Sequence, residues 1–134
     1  MVDRYDFQST VSRIQSDYRL TLTPYQILVL ASIVEKEEKN HKNQPLISGL
    51  FYRRLSQKMR IDADISLCYG LHQSYDACSP SVIVQNLDDR SNPYNTRAVF
   101  GLPPTPISNP SVQTIAHTIY YQLSNYLFYL HDDY

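Results

Sequence analysis

The segment Thr23-Pro-Tyr-Gln-Ile-Leu-Val-Leu-Ala-Ser-Ile-Val-Glu35 constrains this chain more than any other stretch. Thr23 stands at an N-cap position, Pro24 at the first helical position, and Gln26 three residues after the cap completes a capping box. Leu22 and Ile27 are spaced as a hydrophobic staple, so the helix start and the path into it are both specified. From Ile27 to Val34 nearly the whole circumference is apolar, which suits a helix buried on all sides rather than one lying on a surface. The spacing predicts a core helix from Pro24 to about Lys39, and the rest of the chain must wrap around it.

Wrapping elements are legible on both sides. Phe7, Val11, Ile14 and Tyr18 form a four-three-four stripe, predicting an amphipathic helix over 5–19. A third helix is expected from Pro45 to about Lys58, with Ile47, Leu50, Phe51 and Leu55 inward. In "MRIDADISLCYGLH" a short extended piece near Arg60–Asp62 precedes a short helix capped by Asp64 and running to about Leu71. "SPSVIVQNL" reads as a short helix or turn. "DDRSNPYNTRAVFGLPPTPISNPS" is proline-rich and mostly irregular, with a short strand near Asn95–Val99. A helix from Pro110 to about Leu123 and a strand in "YLFYLHD" close the pattern. The fold class expected is α+β: one mainly helical domain over 1–134 with a small β-sheet.

The helix of greatest interest ends on an acid. At about 100° per residue from Ile27, Leu28 falls near 100°, Ala31 near 40° and Glu35 near 80°. Glu35 therefore stands between apolar neighbours. Burial disfavours the ionised form, so its pKa is expected to be raised, toward the ~6–7 that suits a general acid at neutral pH. The alternative is that Glu35 reaches solvent or pairs with Lys39 at i+4.

Other candidates carry less. Asp62 and Asp64 could supply a second carboxylate or metal ligands, although capping a helix is the plainer role for Asp64. Asp88, Asp89, Ser91 and Asn92 read as a turn rather than a calcium loop. His41, His72, His117 and His131 have no metal-ligand spacing, and Cys68 and Cys78 are expected as free buried thiols rather than a disulfide. No phosphate-binding glycine loop or nucleophile elbow is present. With 12 basic and 13 acidic residues the formal charge is −1, so no broad cationic field exists to gather nucleic acid or anionic lipid. No apolar run reaches the ~18 residues of a membrane span. The 12 tyrosines offer flat surface with a hydroxyl at its edge, which suits carbohydrate or peptide as well as core packing.

In order along the chain, "LTPYQILVLASIVEKE" at 22–37, "LFYRRL" at 50–55, "RIDADISLCYG" at 60–70, "NPYNTRAVFGLPPTPISNPS" at 92–111 and "YLFYL" at 126–130 resemble the YceG-like family of endolytic murein transglycosylases. The resemblance runs from about Tyr5 to Leu130. It implies a peptidoglycan lytic transglycosylase, with Glu35 as the catalytic acid. In such a reaction the carboxyl group protonates the oxygen between N-acetylmuramic acid and N-acetylglucosamine. It then takes the proton from the muramyl C6 hydroxyl as a 1,6-anhydro ring closes. The nucleophile belongs to the substrate, so a second carboxylate is not needed, unlike in ordinary glycosidases.

The resemblance further assigns Asp64, Tyr94, Asn95 and Thr96 to hydrogen bonding with sugar groups, Asn95 alternatively to orienting Glu35, and Gly101, Leu102 and Pro103 (with Pro104) to a stiff wall. It calls for no metal or organic cofactor. It implies glycan strands of peptidoglycan as the partner, proteins of cell-wall synthesis as further partners, and the outer face of the cytoplasmic membrane as the setting. Family members usually add a membrane anchor and a LysM-like region before this part and a further segment after it. They also usually carry Asn where Arg53 stands, and an Asn-Pro that Tyr120-Tyr121 replaces. The reading from another class is a catalytically silent glycan-binding or protein-interaction module of the same fold; a hydrolytic muramidase using Asp62 or Asp64 is a third.

Overall fold

A computed structural model describes residues 7–127. It contains α1 (Phe7–Tyr18), α2 (Pro24–Glu37), α3 (Gln44–Ser56), α4 (Asp64–Gly70), α5 (Pro80–Asn86) and α6 (Val112–Ile119), with single 3-10 turns at His41–Asn43 and Tyr75–Ala77. The capping box before α2 is formed: Gln26 N donates to Thr23 Oγ1 and Thr23 N donates to Gln26 Oε1. Ile27 and then every residue from Val29 to Val34 are buried, and α1, α3, α4 and α6 all pack against α2. The helix is thus the axis of the domain, as its all-round apolar sequence requires.

The expected sheet is not there: among the described residues there is no β-strand, and the architecture is all-helical. The extended piece near Arg60–Asp62 and the strand expected near Asn95–Val99 do meet, but they do not form a ladder. Asp62 N donates to Thr96 O, whereas the next amide, Ala63 N, donates to the Thr96 hydroxyl rather than to a backbone carbonyl. Asp62 sits in the left-handed region at φ 59°, which ends any extended run there. Residues 95–99 turn back on themselves, with Ala98 N and Val99 N both donating to Asn95 O. The strand expected at 126–130 falls mainly outside the described residues.

Two local expectations are also corrected. Asp64 is the first residue of α4 rather than its cap; Ala63 holds the cap position with no side-chain bond. Cys68 and Cys78 are not free thiols but a disulfide joining α4 to the segment ahead of α5. Both lie in a small apolar cluster with Leu67, flanked by Leu71, Val82, Ile83 and Leu87. Their facing one another depends on how α4 and α5 pack, which spacing of ten residues does not reveal.

The other side of the core is tied by tyrosines. Tyr52 is fully buried, its ring edge-on to Tyr121 at 4.9 Å and tilted against Tyr18 at 5.8 Å, and its hydroxyl donates to Thr118 O at 3.0 Å. Gly49 lies against the chain after α6 so closely that a Cβ there would stand 1.9 Å from Gln122 O. These contacts fix α6 against α3, and α6 in turn brings its N-terminus to the end of α2.

Candidate functional site

Glu35 is the last-turn residue of α2 and is half-buried. Its Oε1 accepts the backbone N–H of Ser111 at 2.8 Å. Ser111 is the N-cap of α6, and its hydroxyl accepts from Thr114 N at 3.1 Å, so the helix end is already closed by its own side chain. The carboxylate thus faces the Ser111 amide at the positive end of the helix. The segment before it is docked on the same helix: Ile107 N donates to Ser32 Oγ and Ser108 Oγ donates to Ser32 O.

This environment reverses the expected pKa. Desolvation does push the Glu35 carboxyl up, but the Ser111 amide, the Thr114 and Ser111 hydroxyls and the charge of His41 together outweigh it, and the net shift is downward. Sequence periodicity finds the apolar flanks of Glu35; it does not find donors contributed from 76 residues away. The free protein therefore holds this group ionised at neutral pH, ready to accept a proton.

Beside the carboxylate lies a cluster absent from the sequence expectations. Gln44, fully buried at the start of α3, donates through Nε2 to Glu38 O at 2.8 Å. Its Oε1 must then accept, and it accepts twice, from Nδ1–H of His41 at 3.0 Å and of His117 at 2.9 Å. Both rings thus carry hydrogen on Nδ1 and stand 5.7 Å apart. Burial and the neighbouring His41 hold the His117 pKa below the usual histidine range. Ser111 and Thr114 had one sequence signal: "NPS" ahead of an apolar run is a helix-start pattern, but the helix expected from Pro110 begins two residues later, at Val112, with Ser111 as its cap.

The remaining predicted site residues are not gathered around the Glu35 carboxylate. Asn95 is fully buried; its Nδ2 donates to the carbonyls of Asn86, Leu87 and Asp89, and its Oδ1 accepts Arg97 N. Thr96 is buried, with its hydroxyl bonded to Ala63 and Ser66. Asp64 faces the Arg97 guanidinium at 3.4 Å. Tyr94 packs its ring 5.0 Å from Tyr69 and shares a hydrogen bond with Thr105 Oγ1. Gly101 has φ 100°, a conformation glycine alone adopts readily, and it turns the chain so that Leu102 packs on the main core and Pro103 is buried. Among the described residues no three His, Cys, Asp or Glu side chains come together as a metal site, and no helix is long and apolar enough to cross a membrane.

The site is thus a core helix with a half-buried glutamate in its last turn, braced by Ser111 at the start of a later helix. The chain belongs to the YceG-like family, whose model matches residues 1–134. It is 33% identical over 114 residues to an endolytic murein transglycosylase of Streptococcus pneumoniae, a match covering 83% of this chain and 20% of that protein. It is 29% identical over 106 residues to an endolytic murein transglycosylase of Bacillus subtilis, covering 79% of this chain and 28% of that protein. The crystal structure of a yceG-like protein from Listeria monocytogenes superposes with a TM-score of 0.71 at 28% identity, covering 91% of this chain and 38% of that one. The chain thus spans less than a third of the length of the two transglycosylases it matches.

Proposed function

We propose that this chain is the catalytic part of a peptidoglycan lytic transglycosylase, cutting the bond between N-acetylmuramic acid and N-acetylglucosamine and leaving 1,6-anhydro ends. The observation that carries the reading is Glu35: a single carboxyl group fixed at the end of the core helix, in a chain similar to proteins named endolytic murein transglycosylases. Glu35 protonates the glycosidic oxygen. The same carboxylate then takes the proton from the muramyl C6 hydroxyl, whose oxygen forms the new bond to C1, so the proton is returned and no water is consumed. The free carboxylate is ionised, so the proton enters before the bond breaks. A bound sugar that shields Glu35 from solvent raises its pKa and favours that state.

Asp64, Tyr94, Asn95, Thr96, Gly101, Leu102 and Pro103 shape the wall along which the glycan lies. In this arrangement Asn95 and Thr96 act by fixing the loop, since their polar atoms are engaged within the protein. The setting is the cell envelope, on the outer face of the cytoplasmic membrane, with proteins of cell-wall synthesis as partners.

A glycan-binding module without activity is the second reading, and the lowered pKa of Glu35 favours it, because an ionised carboxylate is a poor proton donor. Digestion of purified sacculi separates the two. The enzyme releases 1,6-anhydro-muramyl products, and Glu35→Gln lowers their yield by about 100- to 10,000-fold, the scale of a lost general acid–base group. Binding without such products, unaltered by Glu35→Gln, identifies the module.

A further inference from the structure

A cleft of about 290 Å³ opens where α2 ends, between Lys36 and Lys39 on one hand and α4 with the turn after it on the other. Lys36, which follows Glu35 directly, and Lys39 form one side of it. Tyr69, Gln73, Ser74 and Asp76 also line it, all within the loop that the Cys68–Cys78 disulfide closes. Ile65 and Ile107 supply apolar surface. Tyr69 is held by the ring of Tyr94, so this side is a braced wall rather than a loose loop. Glu35 itself points to Ser111 and does not line the cleft.

We propose that this cleft is a subsite for the acidic peptide carried by peptidoglycan, a proposal that rests on the transglycosylase reading for the identity of the substrate. Its volume falls just below the ~300–1,000 Å³ typical of ligand pockets, which is room for a short appendage rather than for a run of sugars. Both lysines are exposed, and neither is paired with a carboxylate among the described residues. In peptidoglycan N-acetylglucosamine is uncharged and the lactyl carboxyl of N-acetylmuramic acid is tied up in the amide to the peptide, so the sugar backbone offers no anion to a pair of ammonium groups. The peptide attached to the muramyl residue carries carboxylates, an amine and small apolar side chains. Lys36 and Lys39 match the first, Asp76 the second, and Ile65, Ile107 and Tyr69 the third. The muramyl residue is also the one whose C1 bond is cut, so its peptide must lie close to Glu35. The protein as a whole is slightly acidic, so this positive pair is a local feature and not part of a general field.

The test uses the Glu35→Gln protein, which does not turn over its ligand, and measures binding calorimetrically. The probes are GlcNAc–MurNAc with its lactyl carboxyl capped as the methylamide, the same disaccharide bearing an L-Ala–D-Glu–L-Lys–D-Ala tetrapeptide, and the free tetrapeptide. The peptide-bearing disaccharide is expected to bind at least ~10-fold more tightly than the bare one. That preference disappears in Lys36→Ala/Lys39→Ala, persists in Lys36→Arg/Lys39→Arg, and shrinks as salt is raised. Equal affinity for the two disaccharides, or a preference that survives the alanine pair, overturns the subsite. The outcome is separable from the enzymatic reading. Tetrapeptide binding lost with the lysines supports the subsite even if sacculi yield no anhydro ends, and a confirmed enzyme with no peptide preference leaves the subsite refuted.

Discussion

Ser111 gives its backbone N–H to the Glu35 carboxylate across 2.8 Å, so the N-cap of α6 also stabilises the ionised form of an acid in the last turn of α2. An acid placed for proton transfer is thereby held in its basic form when no substrate is present. The packing of α6 on α3, far from the carboxylate, becomes part of the electrostatics of the site.

Thr114→Val removes a hydroxyl that stabilises the Glu35 carboxylate while keeping the side-chain shape. The Glu35 pKa should rise, because the ionised form loses a partner. For a reaction that needs the protonated acid, rate falls as pH rises through that pKa. The variant's descending limb is therefore expected at higher pH than that of the wild type, as read from initial rates of anhydro-product release. An unmoved limb would mean that the hydroxyl does not act on Glu35.

His117 predicts how stability depends on pH. Burial, followed by His41, lowers its pKa in the folded state below the 6.5 of an unperturbed histidine. The unfolded chain then binds the proton more readily, so the contribution is fully present above the unfolded value and is lost as pH falls through the folded one. Urea midpoints measured from pH 7 to 5 should decline, and His117→Gln should flatten that decline.

Tyr52→Phe leaves the Thr118 carbonyl without its buried donor while keeping the ring edge-on to Tyr121. A loss of about 1–3 kcal/mol is expected from equilibrium unfolding. Gly49→Ala collides with backbone rather than with a flexible tip. It should cost a comparable ~1–3 kcal/mol and displace the segment after α6.

Reducing Cys68–Cys78 opens a loop of ten-residue separation. On chain-entropy grounds the loss is about 2–3 kcal/mol. A lower unfolding temperature in reductant, absent from a Cys68→Ala/Cys78→Ala protein, is the expected result.

Where the sequence succeeded, the information was local. The cap, the proline and the all-round apolar run of α2 dictate a buried helix whatever surrounds it, and the inward residues of α3 follow from its period alone. Where it failed, the deciding partner was distant. The strand reading of 95–99 rested on residue type, but the buried Asn95 amide gathers three carbonyls and bends the chain into turns. The raised pKa of Glu35 followed from its apolar neighbours on α2, but the donors that reverse it arrive from α6. The two cysteines looked like core thiols because nothing in their spacing brings α4 to α5. The resemblance of the "LASIVEKE" and "YNT…GLPP" segments to the YceG-like family carried information that periodicity lacks.

The route of the proton and the exclusion of water are tested together by digesting sacculi in water enriched in ¹⁸O and weighing the products. Internal attack by the C6 hydroxyl predicts muramyl ends that are anhydro and free of ¹⁸O, and their near-complete loss in Glu35→Gln. Reducing ends carrying ¹⁸O, or product formation indifferent to Glu35, would contradict the account.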